Sequence, residues 1–143
     1  MKILFKKLVP EAAQPKFGKP GDAGADLVAT SVDASSREGQ IVYGTGLAVE
    51  IPEGMVGLVF PRSSVRDKDL VLSNGVGVID SGYRGEIMAT FNLKNPWSPD
   101  DVYKVGDRIA QLVIVPVPLI TYVETKELSE SNRGTGGHGS TGV

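Results

Sequence analysis

Most of the chemistry available to this chain sits in a few short stretches. Pro61-Arg62-Ser63-Ser64 sets a guanidinium and two hydroxyls directly after the apolar run at residues 56–60. Proline ends a strand's hydrogen-bond ladder, so these side chains leave it together, as an oxyanion-binding set or as a solvated strand-end turn. The final residues, Arg133-Gly134-Thr135-Gly136-Gly137-His138-Gly139-Ser140-Thr141-Gly142-Val143, offer similar chemistry on a glycine-rich backbone. With no apolar run to bury, such a tail does not offset its own ordering entropy when alone. An arginine, bare amides and small hydroxyls are what a polyphosphate gathers, so the tail is expected to order over a ligand.

The segment Ser73-Asn74-Gly75-Val76-Gly77-Val78-Ile79-Asp80-Ser81-Gly82-Tyr83-Arg84-Gly85-Glu86 reads as a β-hairpin. Val76, Val78 and Ile79 are expected to pack, Asp80 to start the turn and Gly82 to permit its tight geometry. Gly75 and Gly77 leave the backbone bare enough to read a base edge, and Tyr83 is either a core aromatic or a flat platform for a sugar. Upstream, Asp22-Ala23-Gly24-Ala25-Asp26-Leu27 sets two carboxylates among small residues, open to a ligand or metal or forming a plain turn before a strand. Gly106-Asp107-Arg108-Ile109-Ala110-Gln111 is a turn entering a strand; Asp107 and Arg108 are placed to pair, and Gln111 needs a partner if buried. Two apparent phosphate motifs in the tail fail. Residues 134–139 match G-x-G-x-x-G, but only four residues follow and no helix can open there; a Walker A reading puts Ser140 where lysine belongs.

Composition narrows the field. The 143 residues suit one domain, burying roughly 68–70% of its unfolded surface. A net charge of −2 argues against nucleic acid as a partner. The absence of cysteine excludes disulfides, thiolate catalysis and Cys-type zinc sites, and a single histidine excludes a His cluster. Any metal is then a hard cation on oxygen ligands, with Mg²⁺ the natural candidate. The longest apolar stretch, residues 109–120, is interrupted by Gln111, Pro116 and Pro118 and is too short to span a membrane. The N-terminus carries no signal-like segment, so a cytoplasmic protein is expected.

Eighteen glycines and nine prolines favour many short strands over long helices. Residues 41–43, 47–51, 56–60, 87–93 and 109–115 are β-branched or alternating and bounded by turn residues, and one helical turn is expected near residues 63–70. The chain is therefore expected to be all-β, a sandwich or barrel, with a jelly roll as one way to hide its edges. Residues 112–122, apolar on both faces and carrying two prolines, suit an edge strand leaving the body under a partner subunit, or a simple central strand.

In this order the segments resemble the five motifs of the trimeric deoxyuridine triphosphatase (dUTPase) family. They are Ala23-Gly24-Ala25-Asp26-Leu27, Pro61-Arg62-Ser63-Ser64, residues 74–85, Gly106-Asp107-Arg108-Ile109-Ala110-Gln111-Leu112 and residues 133–142. The resemblance implies a distorted jelly-roll-like β-barrel at residues 1–128, assembled as a homotrimer with an exchanged C-terminal segment. Residues 129–143 would form a tail closing over a neighbouring site. It implies hydrolysis of dUTP to dUMP and pyrophosphate with Mg²⁺, limiting uracil in DNA and supplying dUMP for thymidylate synthesis. Asp80 would activate the attacking water and Tyr83 would stack under the deoxyribose, excluding UTP. Asn74, Gly77, Val78 and Ile79 would read uracil, and Met88 would line the same pocket. Arg62, Ser63, Ser64 and Gln111 would hold phosphates, while Asp26 would hold the hydration shell of Mg²⁺. Arg133 would grip the γ-phosphate, with His138, Gly139, Ser140 and Thr141 completing the lid.

Two positions depart from the commonest pattern. His138 stands where phenylalanine usually stacks on uracil; a neutral imidazole is flat and can still stack. Ser64 stands where glycine is frequent, and is small. A dCTP deaminase on the same fold would need a glutamate base, against which the pairing of Asp80 and Tyr83 speaks. A silent nucleotide-binding protein would have lost Asp80, and for a lectin or capsid-like trimer the tail motif would be gratuitous.

Overall fold

The computed structural model describes residues 1–34, 37–95 and 101–137. Its strands are, in chain order, β1 (Leu4–Lys7), β2 (Ala25–Val28), β3 (Ser31–Asp33), β4 (Gln40–Gly44) and β5 (Leu47–Glu50). They continue with β6 (Met55–Pro61), β7 (Leu70–Leu72), β8 (Gly77–Ile79), β9 (Met88–Leu93) and β10 (Arg108–Pro116). They form a β1–β5 ribbon and two four-stranded antiparallel sheets, ordered β2-β10-β6-β8 and β3-β4-β9-β7. This is the expected all-β, jelly-roll-like architecture. A single 3-10 turn, Ser63–Asp67, occupies the expected helical window.

Alternation builds the core. In β4, Ile41 and Tyr43 are buried while Gln40 and Val42 are half-buried; in β9, Ala89 and Phe91 are buried while Met88 and Asn92 are exposed. Tyr43, Phe91 and Tyr103 meet edge-on, with ring centroids 5.7 to 6.1 Å apart. Such contacts add about 0.5–1.5 kcal/mol each beyond area burial. The Tyr43 hydroxyl donates to the Tyr103 carbonyl at 3.0 Å, and burial pushes its phenol up to about 12.

Strand β10 positions the site, because it pairs β2 on one side and β6 on the other. The run at residues 112–122 starts between two strands and, past Leu112, becomes an edge. Only Leu112 of this run has strand partners on both sides; Val113 to Pro116 pair β6 alone, an edge position where Pro116, the strand's last residue, is tolerated. Beyond it, Val117 N–H donates to the Gly54 carbonyl at 2.8 Å, and the described residues after it form no strand.

The five longer expected strands are present. Missed were β1, β2, β3 and β7, each of three or four residues and too short for a periodic signal. Residues 73–86 do not form the expected β-hairpin: their one strand, β8, pairs β6, while the preceding β7 pairs β9 in the other sheet. Val78 is 63% exposed and Val76 is also exposed, so of the three residues expected to pack only Ile79 reaches the core. Gly82 is not among the glycines with positive φ; the turn closes by Tyr83 N–H donating to the Asp80 carbonyl at 3.0 Å.

Candidate active site

The polar side chains of three adjacent strands converge at one end of the β2-β10-β6-β8 sheet. Gln111 of β10 lies opposite Asp26 of β2 and Phe60 of β6, and β6 ends one residue before Arg62. Asp26, Arg62, Ser63, Arg108 and Gln111 line a cavity of about 630 Å³, walled on its far side by the loop from Gly18 to Gly24.

Asp26 organises this cavity. Its Oδ1 accepts Arg62 Nε at 2.8 Å and its Oδ2 accepts Arg108 Nη1 at 3.0 Å, with the carboxylate side chain only 16% exposed. Two guanidiniums on one carboxylate leave a local excess of positive charge in a partly sheltered cleft, which is a site for a polyanion. Arg62 Nη1 also donates to Ser64 Oγ at 3.4 Å, and Gln111 Nε2 to the Pro61 carbonyl at 3.4 Å. Gly24 makes room for Gln111, since a Cβ there would stand 2.7 Å from its Oε1.

Arg108 is a cavity residue that sequence reasoning did not single out. Arg108 and Gln111 are three residues apart and would face opposite ways on a regular strand. A register shift between Arg108 and Ala110 against β2, a β-bulge, turns both toward the cavity. The neighbouring acid does not pair with Arg108 as expected. Asp107 instead accepts the Lys104 N–H at 2.8 Å, holding the turn. Asp22 likewise serves its turn, accepting Lys19 N–H at 2.8 Å.

A second group lies elsewhere. Strand β8 pairs only β6 among the described strands, so its outer edge presents unpaired backbone donors and acceptors at residues 77–79. The turn that carries the chain from β7 to β8 is tight, with Gly75 at φ +68° and Val76 N–H on the Asn74 carbonyl at 2.7 Å. Asp80 is exposed, and Tyr83 is 41% exposed rather than a core aromatic, its hydroxyl donating to the Glu86 carbonyl at 2.9 Å. Met88 is 54% exposed, opposite Gly44 on β4.

Within one chain the two groups do not meet. The register sets Ile79 opposite Gly57 and Pro61 opposite Ala110, so the Asp80 turn and Arg62 sit at opposite ends of β6. At about 3.3 Å per residue they are roughly 20 Å apart along the strand. Arg133 is also distant in its bonding, its Nε donating to the Gly136 carbonyl at 3.0 Å within a local turn. His138, Gly139, Ser140 and Thr141 lie outside the described residues.

No group of three or more His, Asp or Glu side chains among the described residues could hold a metal ion. The cavity carboxylates are Asp22 and Asp26, the latter with both oxygens in ion pairs. With both Asp26 oxygens on arginines, the cavity has, among the described residues, no set of carboxylates to coordinate a divalent ion directly, and it suits one only where a bound ligand supplies oxygens.

The sequence matches the dUTPase family profile over residues 10–142. The chain belongs to the dUTPase family. It is 42% identical over 141 residues to the deoxyuridine 5'-triphosphate nucleotidohydrolase of Nocardia farcinica, covering 98% of this chain and 85% of that one. To the corresponding Desulfitobacterium hafniense (strain DSM 10664 / DCB-2) protein it is 45% identical over 147 residues, covering 100% and 96%. Among solved structures, the Staphylococcus bacteriophage 80alpha dUTPase G164S mutant with dUpNHpp superposes with a TM-score of 0.85 at 29% identity, covering 99% of both chains. The dUTPase described here is thus an enzyme of nucleotide metabolism, a hydrolase on an all-β scaffold.

Proposed function

We propose that this dUTPase hydrolyses dUTP to dUMP and pyrophosphate by in-line attack of water on the α-phosphorus. The water oxygen forms the new bond to phosphorus, the bond to the α,β-bridging oxygen breaks, and pyrophosphate leaves with that oxygen. Asp80 orients the water and takes its proton. Arg62, Ser63, Ser64 and Gln111 hold the phosphates, with Ser63 donating to the oxygen being released. Arg108, braced by Asp26, adds positive charge to the same cleft. Mg²⁺, when bound, neutralises charge across the phosphate oxygens, and Asp26 holds its water shell.

The edge of β8 reads uracil with residues 74–79, and the Tyr83 ring closes under the deoxyribose. Met88 lines this pocket. Residues 129–143 form the tail, in which Arg133 grips the γ-phosphate while His138, Gly139, Ser140 and Thr141 cover the nucleotide. The site is completed in a homotrimer, the Asp80 turn and the tail coming from neighbouring copies. The single observation that carries this reading is the separation along β6: a cationic cavity and an exposed acid-and-aromatic turn, both required, lie at opposite ends of one strand. The enzyme acts in the cytoplasm, limiting uracil in DNA and supplying dUMP.

The test is pyrophosphate release with Mg²⁺ from dUTP, UTP, dTTP and dCTP in parallel, with the mass of the assembly measured by light scattering. Turnover confined to dUTP by a trimer is expected. Ammonia release from dCTP would move the protein to the deaminase branch, and dUTP binding without turnover would make it a binding protein.

A further inference from the structure

The turn at residues 80–83 stands out from the barrel, and sugar discrimination depends on where it holds the Tyr83 ring. Its internal bonds are local. Besides the Tyr83 N–H, Arg84 Nη1 donates to the carbonyls of Ser81 and Tyr83 at 2.7 and 2.9 Å. These bonds shape the turn without fixing its direction against the body of the protein.

Direction comes from residues 85–87. The Tyr83 ring lies over Gly85, where an added Cβ would overlap the phenol oxygen and stand 2.6 Å from Cζ. Its hydroxyl is held by the Glu86 carbonyl. The half-buried Glu86 side chain is in turn tied across to the β4–β5 turn, its Oε1 accepting the Gly46 N–H at 2.7 Å. That donor is well fixed: Gly46 sits at φ +64°, hemmed in by Val9, Ala12 and Thr30. Behind it, Ile87 N–H donates to the Leu47 carbonyl at 2.8 Å and the fully buried Thr45 hydroxyl donates to the Ile87 carbonyl at 2.7 Å.

We infer that Glu86 is a positioning residue for sugar discrimination: its carboxylate, clamped to Gly46, sets the direction in which residues 83–87 present the Tyr83 ring to the nucleotide. The inference rests on the role proposed above for Tyr83. A hydrogen bond to an ionised acceptor is about twice as strong as a neutral one, and a site of this kind must hold its groups to within about 0.5 Å. Loss of the clamp leaves the turn folded but its ring loosely aimed, so a 2′-hydroxyl is rejected less sharply.

The experiment measures kcat/KM for dUTP and UTP, with thermal melting, for the wild type, Glu86→Ala, Glu86→Gln and Gly85→Ala. Glu86→Ala is expected to reduce the dUTP-over-UTP preference roughly tenfold. Glu86→Gln, whose amide oxygen still accepts the Gly46 N–H, restores the preference. Gly85→Ala displaces the phenol directly and calibrates the loss that a misaimed ring produces; if Glu86→Ala does not fold, Glu86→Gln carries the test. A preference unchanged in the folded alanine variants, or lost equally in Glu86→Gln, overturns the inference. A wild type that does not prefer dUTP removes the sugar gate itself, whatever Glu86 does.

Discussion

The cationic cavity and the Asp80 turn are built on opposite principles. The cavity is assembled by strand pairing between residues far apart in sequence: β2, β6 and β10 meet, and Asp26 ion-pairs with arginines at positions 62 and 108. The turn is local, closed by bonds between residues three apart or fewer and steered by one carboxylate from behind. Asp80 and Tyr83 face solvent. A preorganised charge cluster needs a sheltered, rigid setting to act on an anion. A group that must enter another copy's cavity has to remain exposed. On the proposed reading, one chain completes the cavity and lends the turn.

The largest effect should come from the lent half. Asp80→Asn is expected to lower kcat by about 10²–10⁴ while dUTP binding by calorimetry persists; turnover near wild type would remove the acid–base role from Asp80. Truncation before Arg133 should leave a folded assembly whose kcat/KM has fallen about a hundredfold or more, since a charge donor to the phosphates is lost. Full activity in that variant would refute a closing tail.

In the self-contained half, Gly24→Ala drives a methyl against Gln111 and should lower kcat/KM by about tenfold with little change in melting temperature. An unaffected rate would mean that Gln111 does not hold phosphate. The sharpest test of the comparison has the most modest readout. Arg62→Ala and Asp80→Asn, each inactive alone, are unfolded together and refolded as mixed assemblies. If each site draws Arg62 and Asp80 from different copies, random mixing should restore about a quarter of wild-type activity. No recovery would place both residues in one chain's site.

Much of this was legible in advance. The longer strands alternate clearly, and the oxyanion set after Pro61 and the turn opened by Asp80 were visible as residue types in order. Less legible were the places where a short-range rule met a distant constraint. Val76 and Val78 are apolar and so were expected to pack, but β8 is an edge strand paired to β6 alone, and they stay exposed in a single chain. Asp107 sits beside Arg108, yet a turn's need for an acceptor for its backbone Lys104 N–H won over the neighbouring charge. Residues 112–122 offered both a central and an edge reading, and pairing divides them: Leu112 lies between β2 and β6, whereas residues 113–116 pair β6 alone.

By itself the sequence determined the class of fold, the family and the kinds of chemistry present, because hydrophobic period, turn residues and motif order are local properties of the chain. The tertiary structure alone decided that Arg108 shares a cavity with Gln111, that Asp26 braces two arginines, and that Glu86 reaches Gly46. It also decided that Asp80 lies a strand's length from Arg62. Each of these depends on register, a bulge or the pairing of distant segments, and a one-residue change in register would reassign every one of them.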